Sequence, residues 1–377
     1  MTGALNVGII GCGNISSTYL QLAALFKTIK ITAVADLNEE AANARAKEYG
    51  VAAKSVADLL ADPGIDIIVN LTTPEAHFAV TRDILEANKH AYSEKPFVLS
   101  LKEGQALREL SAATGKTVCS APDTYLGGTH QQARQLLDAG ELGKITSGTC
   151  HLMSAGMEDW HPNPDFFFQS GAGPVLDMGP YYVANLINLI GPVARVSALA
   201  NTPQSFRTIG AGPRKGAQVP VSTPTSVHAI LEFENGALIT LATSWDVKAH
   251  THAHMELYGS KASLFLPDPN FFGGDLVMAF ENGAQNIVPP WAHPLMTPNQ
   301  QHDEGMMANY RTVGLADMAQ AIGENRAPRC ALETSLHCVD ILLSILKSAE
   351  TGRAVSLSTT CSRPEPFDPD AARALLV

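Results

Sequence analysis

The sequence predicts an α/β protein in two parts, a doubly wound parallel sheet followed by an α+β half. Three observations predict it. Apolar runs of strand length alternate with helical patterns over the first third of the chain. The hydrophobic period switches to two after about residue 143, and residues 227–244 carry a hairpin signature. Strands alternating with helices imply βαβ units and a parallel sheet, while antiparallel strands gathered after such a half imply a separate domain. A chain of 377 residues has room for two domains, at about 150 residues each.

In chain order, Leu5–Ile10 is an apolar run that fits a buried parallel strand, and a helical pattern follows from Ile15 to Lys27. Ile31–Ala35 is a second strand, after which Asn38 can cap a helix running towards Tyr49. Asp66–Leu71 is a third strand, and Pro74 suits the first turn of a helix reaching Ala87. Ala91–Ser93, a helix over Leu101–Thr114 and a strand over Thr117–Ser120 complete this half.

Lys144–Ser154 then alternates polar and apolar, and Pro174–Ile190 reads as one helix. Val227, Ala229, Leu231 and Phe233 alternate with His228, Ile230, Glu232 and Glu234, and Asn235-Gly236 turns the chain into Ala237–Ser244. His252–Gly259 and Ser263–Leu266 are further strands, and Asp303–Ile322 and Leu332–Thr351 are helices. Thr359–Pro369 reads as a surface tail. Gly156–Gly173 and Thr202–Pro224 are loops long enough to be functional or mobile.

Composition narrows the function. There are 26 basic and 37 acidic residues, a net charge of −11. Such a surface repels phosphate backbones, so nucleic acid is not expected as the main partner. Six cysteines without a CxxC pair suggest neither a disulfide framework nor a zinc site. No apolar run is long enough to span a bilayer, and the opening MTGALNVGII has no basic n-region. The expectation is a soluble cytoplasmic protein with no membrane partner.

Gly11-x-Gly13-x-x-Ser16 falls between the first strand and the first helix. There the first glycine permits the tight turn, and the second lets a pyrophosphate approach the positive end of the helix dipole. Serine replaces the third glycine and is small enough for the helix to pack near the strand. Asp36 ends the second strand about twenty residues later, where a carboxylate accepts hydrogen bonds from a ribose diol. It repels a 2′-phosphate, and no arginine follows Leu37 and Asn38, which favours NAD over NADP. Asn14 and Ile15 at the helix start and Leu37 beside the acid complete the cofactor-side set.

Ser93-Glu94-Lys95-Pro96 ends a strand, and ligands of doubly wound sheets bind outside the carboxyl ends of the strands. With VGIIGCGNIS, Asp36, NLTTPEAHFAV (70–80), SEKP (93–96), GAGPVLDMGPYYVANLINLIGPV (171–193), LEFENGALITLATSW (231–245) and NYRTVGLADMAQAI (309–322), nearly the whole chain resembles the glucose–fructose oxidoreductase, inositol dehydrogenase and MocA family. The resemblance implies an N-terminal Rossmann domain, placed at residues 1–122. It also implies a substrate-binding and oligomerisation domain at 123–377, built on an open, mostly antiparallel sheet. It further implies hydride transfer between a nicotinamide and a carbinol or carbonyl of a sugar, sugar derivative or cyclic polyol, in a homo-oligomer (dimer or tetramer).

By the same resemblance, Lys95 holds the substrate hydroxyl and helps move its proton. Asp177 is the second catalytic position, and Tyr181 stands where many members carry a histidine acid/base. Thr72, Thr73, Pro74 and His77 line the nicotinamide ribose, and Glu94 is a cofactor-side residue. The chemistry is consistent. Hydride leaves a carbinol only as its proton is removed by a base within hydrogen-bond reach. A partly desolvated lysine beside a cationic ring has a lowered pKa. Positions four apart on a helix share a face, so Asp177 and Tyr181 can point into one pocket, although Gly179-Pro180 would break an ordinary helix near its start. Tyr181 either relays the proton or only binds substrate, and Tyr182 is read as a packed aromatic.

Tyr125 follows the last Rossmann strand and is expected to face the same crevice. Trp160 and His161 sit on the first long loop, Trp160 as a sugar platform or as a loop anchor. His250, His252 and His254 alternate, but no carboxylate or cysteine is spaced to complete a metal site, so a half-polar strand face is expected. Two rival functions share these features: an enzyme whose tightly held NAD is oxidised and reduced within one turnover, and an NAD-binding sensor without turnover. Retention of Lys95 with Asp177 argues against the sensor.

Overall fold

A computed structural model of the chain describes residues 3–302 and 305–377. The chain forms two compact units that do not divide it at a single point. The first takes the residues up to Gln131 together with Ala292–Val339 and Pro364–Val377; the second takes Gln132–Trp291 and Asp340–Arg363.

The first unit opens with β1 (Leu5–Ile10), α1 (Asn14–Leu22), β2 (Ile29–Ala35), α2 (Glu39–Tyr49), β3 (Ala52–Lys54) and α3 (Val56–Ala61). β4 (Ile67–Asn70), α4 (His77–Glu86), β5 (His90–Ser93), α5 (Leu101–Thr114) and β6 (Val118–Ser120) follow, and α6 (Gly128–Asp138) runs from the first unit into the second. The six strands lie in the order β3-β2-β1-β4-β5-β6, every neighbouring pair parallel. This is the order of two mononucleotide-binding halves, and it reverses between β1 and β4, where ligands of such sheets bind. Val7, Ile9, Val34, Ile67, Ile68 and Val69 are wholly buried, which explains the unbroken apolar runs: helices cover both faces. Asn38 caps α2 as its sequence position predicts, its side chain accepting from Glu40 N and Ala41 N. The first helix stops at Leu22 and tightens into a 3₁₀ turn over Ala23–Leu25, short of Lys27. Pro74 opens a 3₁₀ turn over Pro74–Ala76 before α4 begins.

The second unit contains β7 (Ile145–Met153), α7 (Gly173–Asp177), α8 (Gly179–Leu189), β8 (Val193–Asn201), β9 (Phe206–Thr208), β10 (Gln218–Pro220), β11 (Ser226–Phe233) and β12 (Leu238–Ser244). β13 (Met255–Gly259), β14 (Ser263–Leu266), β15 (Val277–Ala279) and β16 (Gln285–Ile287) continue it. The chain returns to the first unit through β17 (Gln300–His302), β18 (Gly305–Met307) and α9 (Val313–Glu324); α10 (Leu332–Thr351) runs from the first unit into the second, β19 (Val355–Ser356) belongs to the second, and α11 (Pro369–Leu375) belongs to the first. The large sheet of the second unit runs β16-β15-β14-β13-β7-β12-β11-β8-β19. It is antiparallel throughout except for the β12–β7 pair. The predicted hairpin is β11–β12, with Ser226 opposite Ser244 and Gly236 at φ +89° in the turn. No helix among the described residues is long and apolar enough to cross a membrane.

Four sequence expectations are corrected. The helix read over Pro174–Ile190 is two helices, broken at Met178. Pro180 has no N–H to donate to the Leu176 carbonyl and its ring crowds that carbonyl, which stops a continuous helix there. His250, His252 and His254 precede β13 and do not share a strand face. His250 and His252 are exposed and His254 is half-buried; His252 stacks on His151 at 4.0 Å between centroids, and the Tyr182 hydroxyl lies 3.1 Å from His254 Nδ1. The helix expected from Asp303 begins at Val313. Asp303 lies outside the described residues, and Gly305–Met307 pairs with Gln300–His302 as a hairpin. The expected surface tail is not one. Phe367 is wholly buried, its N–H donating to Gln131 Oε1 at 2.8 Å and its carbonyl accepting from His293 Nε2 at 3.0 Å.

Candidate functional site

The turn after β1 shows why two glycines stand where they do. Gly11 has φ +105°, and a Cβ there would lie 2.5 Å from the Leu71 carbonyl oxygen. Only glycine combines that backbone with that approach of β1 to β4. Gly13 is different: nothing lies within 4 Å of the place its Cβ would occupy. It is the N-cap of α1 and makes no side-chain cap. An open cradle therefore sits at the positive end of a helix, the setting that holds a phosphate.

Asp36 ends beside this turn, as its spacing predicts. Oδ2 accepts from Cys12 N at 2.7 Å and Oδ1 from Asn38 N at 2.8 Å, which fixes the carboxylate without filling its lone pairs. Leu37 next to it is 95 % exposed, an apolar shelf for a flat ring. Burial and the Asp36 charge push the Cys12 thiol up to about 11, so it stays protonated and inert. Together these residues fit a dinucleotide: a cradle for the pyrophosphate and a ribose-facing carboxylate beside it.

A second set gathers at the carboxyl ends of β4 and β5. The Asn70 side chain, fully buried, donates to His77 O at 3.0 Å and Thr81 Oγ1 at 3.1 Å, and accepts from Thr72 Oγ1 at 2.7 Å. His77 places its Nδ1 2.7 Å from Pro96 O and its Nε2 3.1 Å from Thr72 O. Burial lowers its pKa, so the neutral ring donates to one of the two carbonyls. Glu94 accepts from the Tyr19 hydroxyl at 2.8 Å through Oε1 and from Lys95 N at 2.9 Å through Oε2. Thr72, His77, Glu94 and the Lys95 backbone are thus fixed in one strip, with Thr73 and Pro74 in the turn between β4 and α4. Sequence reading passed over Asn70 and Tyr19. Their signal was present in a polar residue closing an apolar strand and a tyrosine on the first helix.

In the second unit, Asp177 closes α7 and Tyr181 lies in the first turn of α8, on opposite sides of the break. Their four-residue spacing therefore does not describe one helical face. Tyr181 is almost buried, and Tyr182 is wholly buried, with its hydroxyl donating to His151 O at 3.3 Å. The two long loops fold as one body around Phe168, Ile209, Val219 and Trp245. Phe168 and Trp245 are the anchors, whereas Trp160 stays 63 % exposed, edge-on to His161 at 5.4 Å. Tyr125 is placed differently from the expectation: it is 2 % exposed, and its hydroxyl donates to Arg329 O at 2.8 Å inside the first unit. Among the described residues, no group of His, Cys, Asp or Glu could hold a metal ion.

Comparison with known proteins follows these two units. Residues 5–121 match the model of an oxidoreductase family with an NAD-binding Rossmann fold, and residues 130–265 match the GFO/IDH/MocA C-terminal domain. The uncharacterized oxidoreductase YrbE of Bacillus subtilis (strain 168) is 25% identical over 370 residues, covering 96% of this chain and 98% of that protein. The D-glucoside 3-dehydrogenase of Escherichia coli (strain K12) is 25% identical over 272 residues, 70% of this chain and 77% of the relative. Among solved structures, levoglucosan dehydrogenase in complex with NADH and L-sorbose superposes with a TM-score of 0.81. It has 20% identity and covers 95% of this chain and 100% of that one, a likeness of fold.

Proposed function

We propose, from the premise that this chain belongs to the GFO/IDH/MocA family of oxidoreductases with an NAD-binding Rossmann fold, that it transfers a hydride between nicotinamide and a carbinol or carbonyl carbon of a sugar, sugar derivative or cyclic polyol. The observation that carries the reading is the turn itself: an open cradle at Gly13, with Asp36 tied to the Cys12 N–H. The names of the relatives, a glucoside dehydrogenase and a levoglucosan dehydrogenase, support the substrate class.

When bound, NAD supplies the carbon that accepts the hydride. The protein's task is the proton and the orientation. Lys95 holds the substrate hydroxyl and takes its proton as the carbon–hydrogen bond breaks. Asp177 offsets the charge of that amine, and Tyr181 passes the proton on. Glu94 clamps the Lys95 backbone, so the amine starts from a fixed point. Trp160, exposed, and His161, half-buried beside it, stand on a loop body with its own core and offer an aromatic face to the apolar side of a sugar ring. A homo-oligomer, dimer or tetramer, is part of the proposal: Leu199 and Ile230 stand out from the same face of the large sheet and are more than half exposed. So is a cytoplasmic location.

The test is reduction of NAD followed at its absorbance over a panel of sugars and polyols, with Lys95→Ala beside the wild type. The variant is expected to keep its NAD affinity and lose about 10³-fold or more in turnover. Turnover near that of the wild type would remove Lys95 from the reaction.

A further inference from the structure

The sequence shows no arginine beside Asp36, but the fold brings one to the cofactor turn from nine residues further on. Arg45, in the second turn of α2, donates through Nε to Ser16 Oγ at 3.1 Å and reaches Gly13 O with Nη2 at 3.5 Å; Nη1 pairs with Glu48 Oε2 at 2.7 Å. Ser16, the residue that departs from the glycine pattern, is wholly buried and donates its hydroxyl to Gly13 O at 2.6 Å. The Ser16 N–H also meets that oxygen, at 3.2 Å. Three donors from two residues therefore converge on one carbonyl.

That convergence has a directional consequence. A trans peptide points its C=O and N–H in opposite directions. Holding Gly13 O towards Ser16 and Arg45 aims the next N–H, that of Asn14, the other way. A guanidinium beside the turn also adds a positive charge there. We infer that Arg45 is a positioning residue for the dinucleotide: docked on Ser16, it holds the glycine-rich turn in the shape that presents the Asn14 N–H to the pyrophosphate. The inference rests on the NAD site proposed above and adds a residue outside its motif.

The experiment measures binding of NAD and of ADP-ribose to the full chain by titration calorimetry, with kcat at saturating NAD and the melting temperature of the unliganded protein. Arg45→Gln is expected to raise both dissociation constants about tenfold. The kcat at saturating NAD and the melting temperature should stay those of the wild type. Ser16→Ala should do the same, and the double variant should be no weaker than the stronger single, because both break one linkage. Glu48→Gln, which removes only the outer ion pair, should bind within about twofold of the wild type. Wild-type affinity in Arg45→Gln overturns the inference while leaving the NAD site standing. So does a loss that adds fully in the double variant, or one matched by an equal fall in kcat. A wild-type chain that binds neither ligand overturns the NAD reading and this inference with it.

Discussion

Arg207 Nη1 donates to Glu158 Oε1 at 2.9 Å, with both side chains over nine-tenths buried. Its Nη2 also pairs with Asp246, and its guanidinium lies 5.4 Å from the centre of the Phe168 ring. Glu158 belongs to the first long loop and Arg207 to β9 within the second, so one cation joins the two loops. Replacing Arg207 by Met leaves two carboxylates buried without their cation. The expected cost is about 3–5 kcal/mol, read as a lower urea midpoint, with new protease cuts between residues 156 and 224. An unchanged midpoint would show that the loop body stands without the ion pair.

The two turn glycines should fail in different ways. Gly11→Ala forces a Cβ towards the Leu71 carbonyl at a positive φ. It should cost more than about 1 kcal/mol of stability and lower the melting temperature. Gly13→Ala meets open space and should melt like the wild type. Its methyl occupies the phosphate cradle, so NAD binding should weaken by about tenfold or more. Full NAD affinity in Gly13→Ala would place the pyrophosphate elsewhere.

Asp123 gives the first unit a pH dependence. Burial pushes its carboxyl up to about 6 from 3.8, against the opposing bond from Gly314 N at 3.0 Å. The folded state therefore holds the proton more tightly than the unfolded chain. The stabilisation is complete below the unfolded value and is lost as pH rises through about 6. Asp123→Asn is neutral at every pH. It should flatten the decline between pH 4 and 6 and be more stable than wild type at pH 7 by about 2–3 kcal/mol. Urea unfolding across that range decides it, and parallel curves for the two proteins would count against the buried carboxyl.

Tyr181→Phe separates relay from packing. The ring is almost buried, so phenylalanine keeps the packing of the ring. A hydroxyl in the proton path predicts a fall in kcat of about 10². An unchanged kcat at saturating substrate would assign Tyr181 to packing alone.

Much of the first unit was legible because its signals are local. The Asn38 cap acts within three residues of where it stands, and Gly11 and Asp36, though they meet Leu71 and Cys12, stand at spacings that the strand–turn–helix motif sets in the sequence itself. What escaped depends on distant partners. Arg45 reads as one more charge on an exposed helix until α2 packs beside α1. Phe367 reads as part of a proline-rich tail until Gln131 and His293 are seen to bond its backbone. The break at Met178 was legible in Gly179-Pro180, which breaks an ordinary helix near its start, although the stretch from Pro174 to Ile190 reads as a helix. The histidines before β13 alternate as a strand would, yet the strand opens only at Met255, and His252 stacks on His151 before it. Tyr125 sits next to a strand end, and only the distant Arg329 carbonyl shows that its hydroxyl is already engaged.

The first unit draws on both extremes of the chain: Phe26 bridges Leu376, and the Val377 N–H donates to the Leu25 carbonyl. During synthesis this half therefore cannot close when its glycine-rich segment leaves the ribosome. It must wait, with apolar edges uncovered, until Leu376 and Val377 have emerged, while the intervening strands emerge and pair ahead of it. Growth conditions that slow elongation or withhold chaperones should harm this half first.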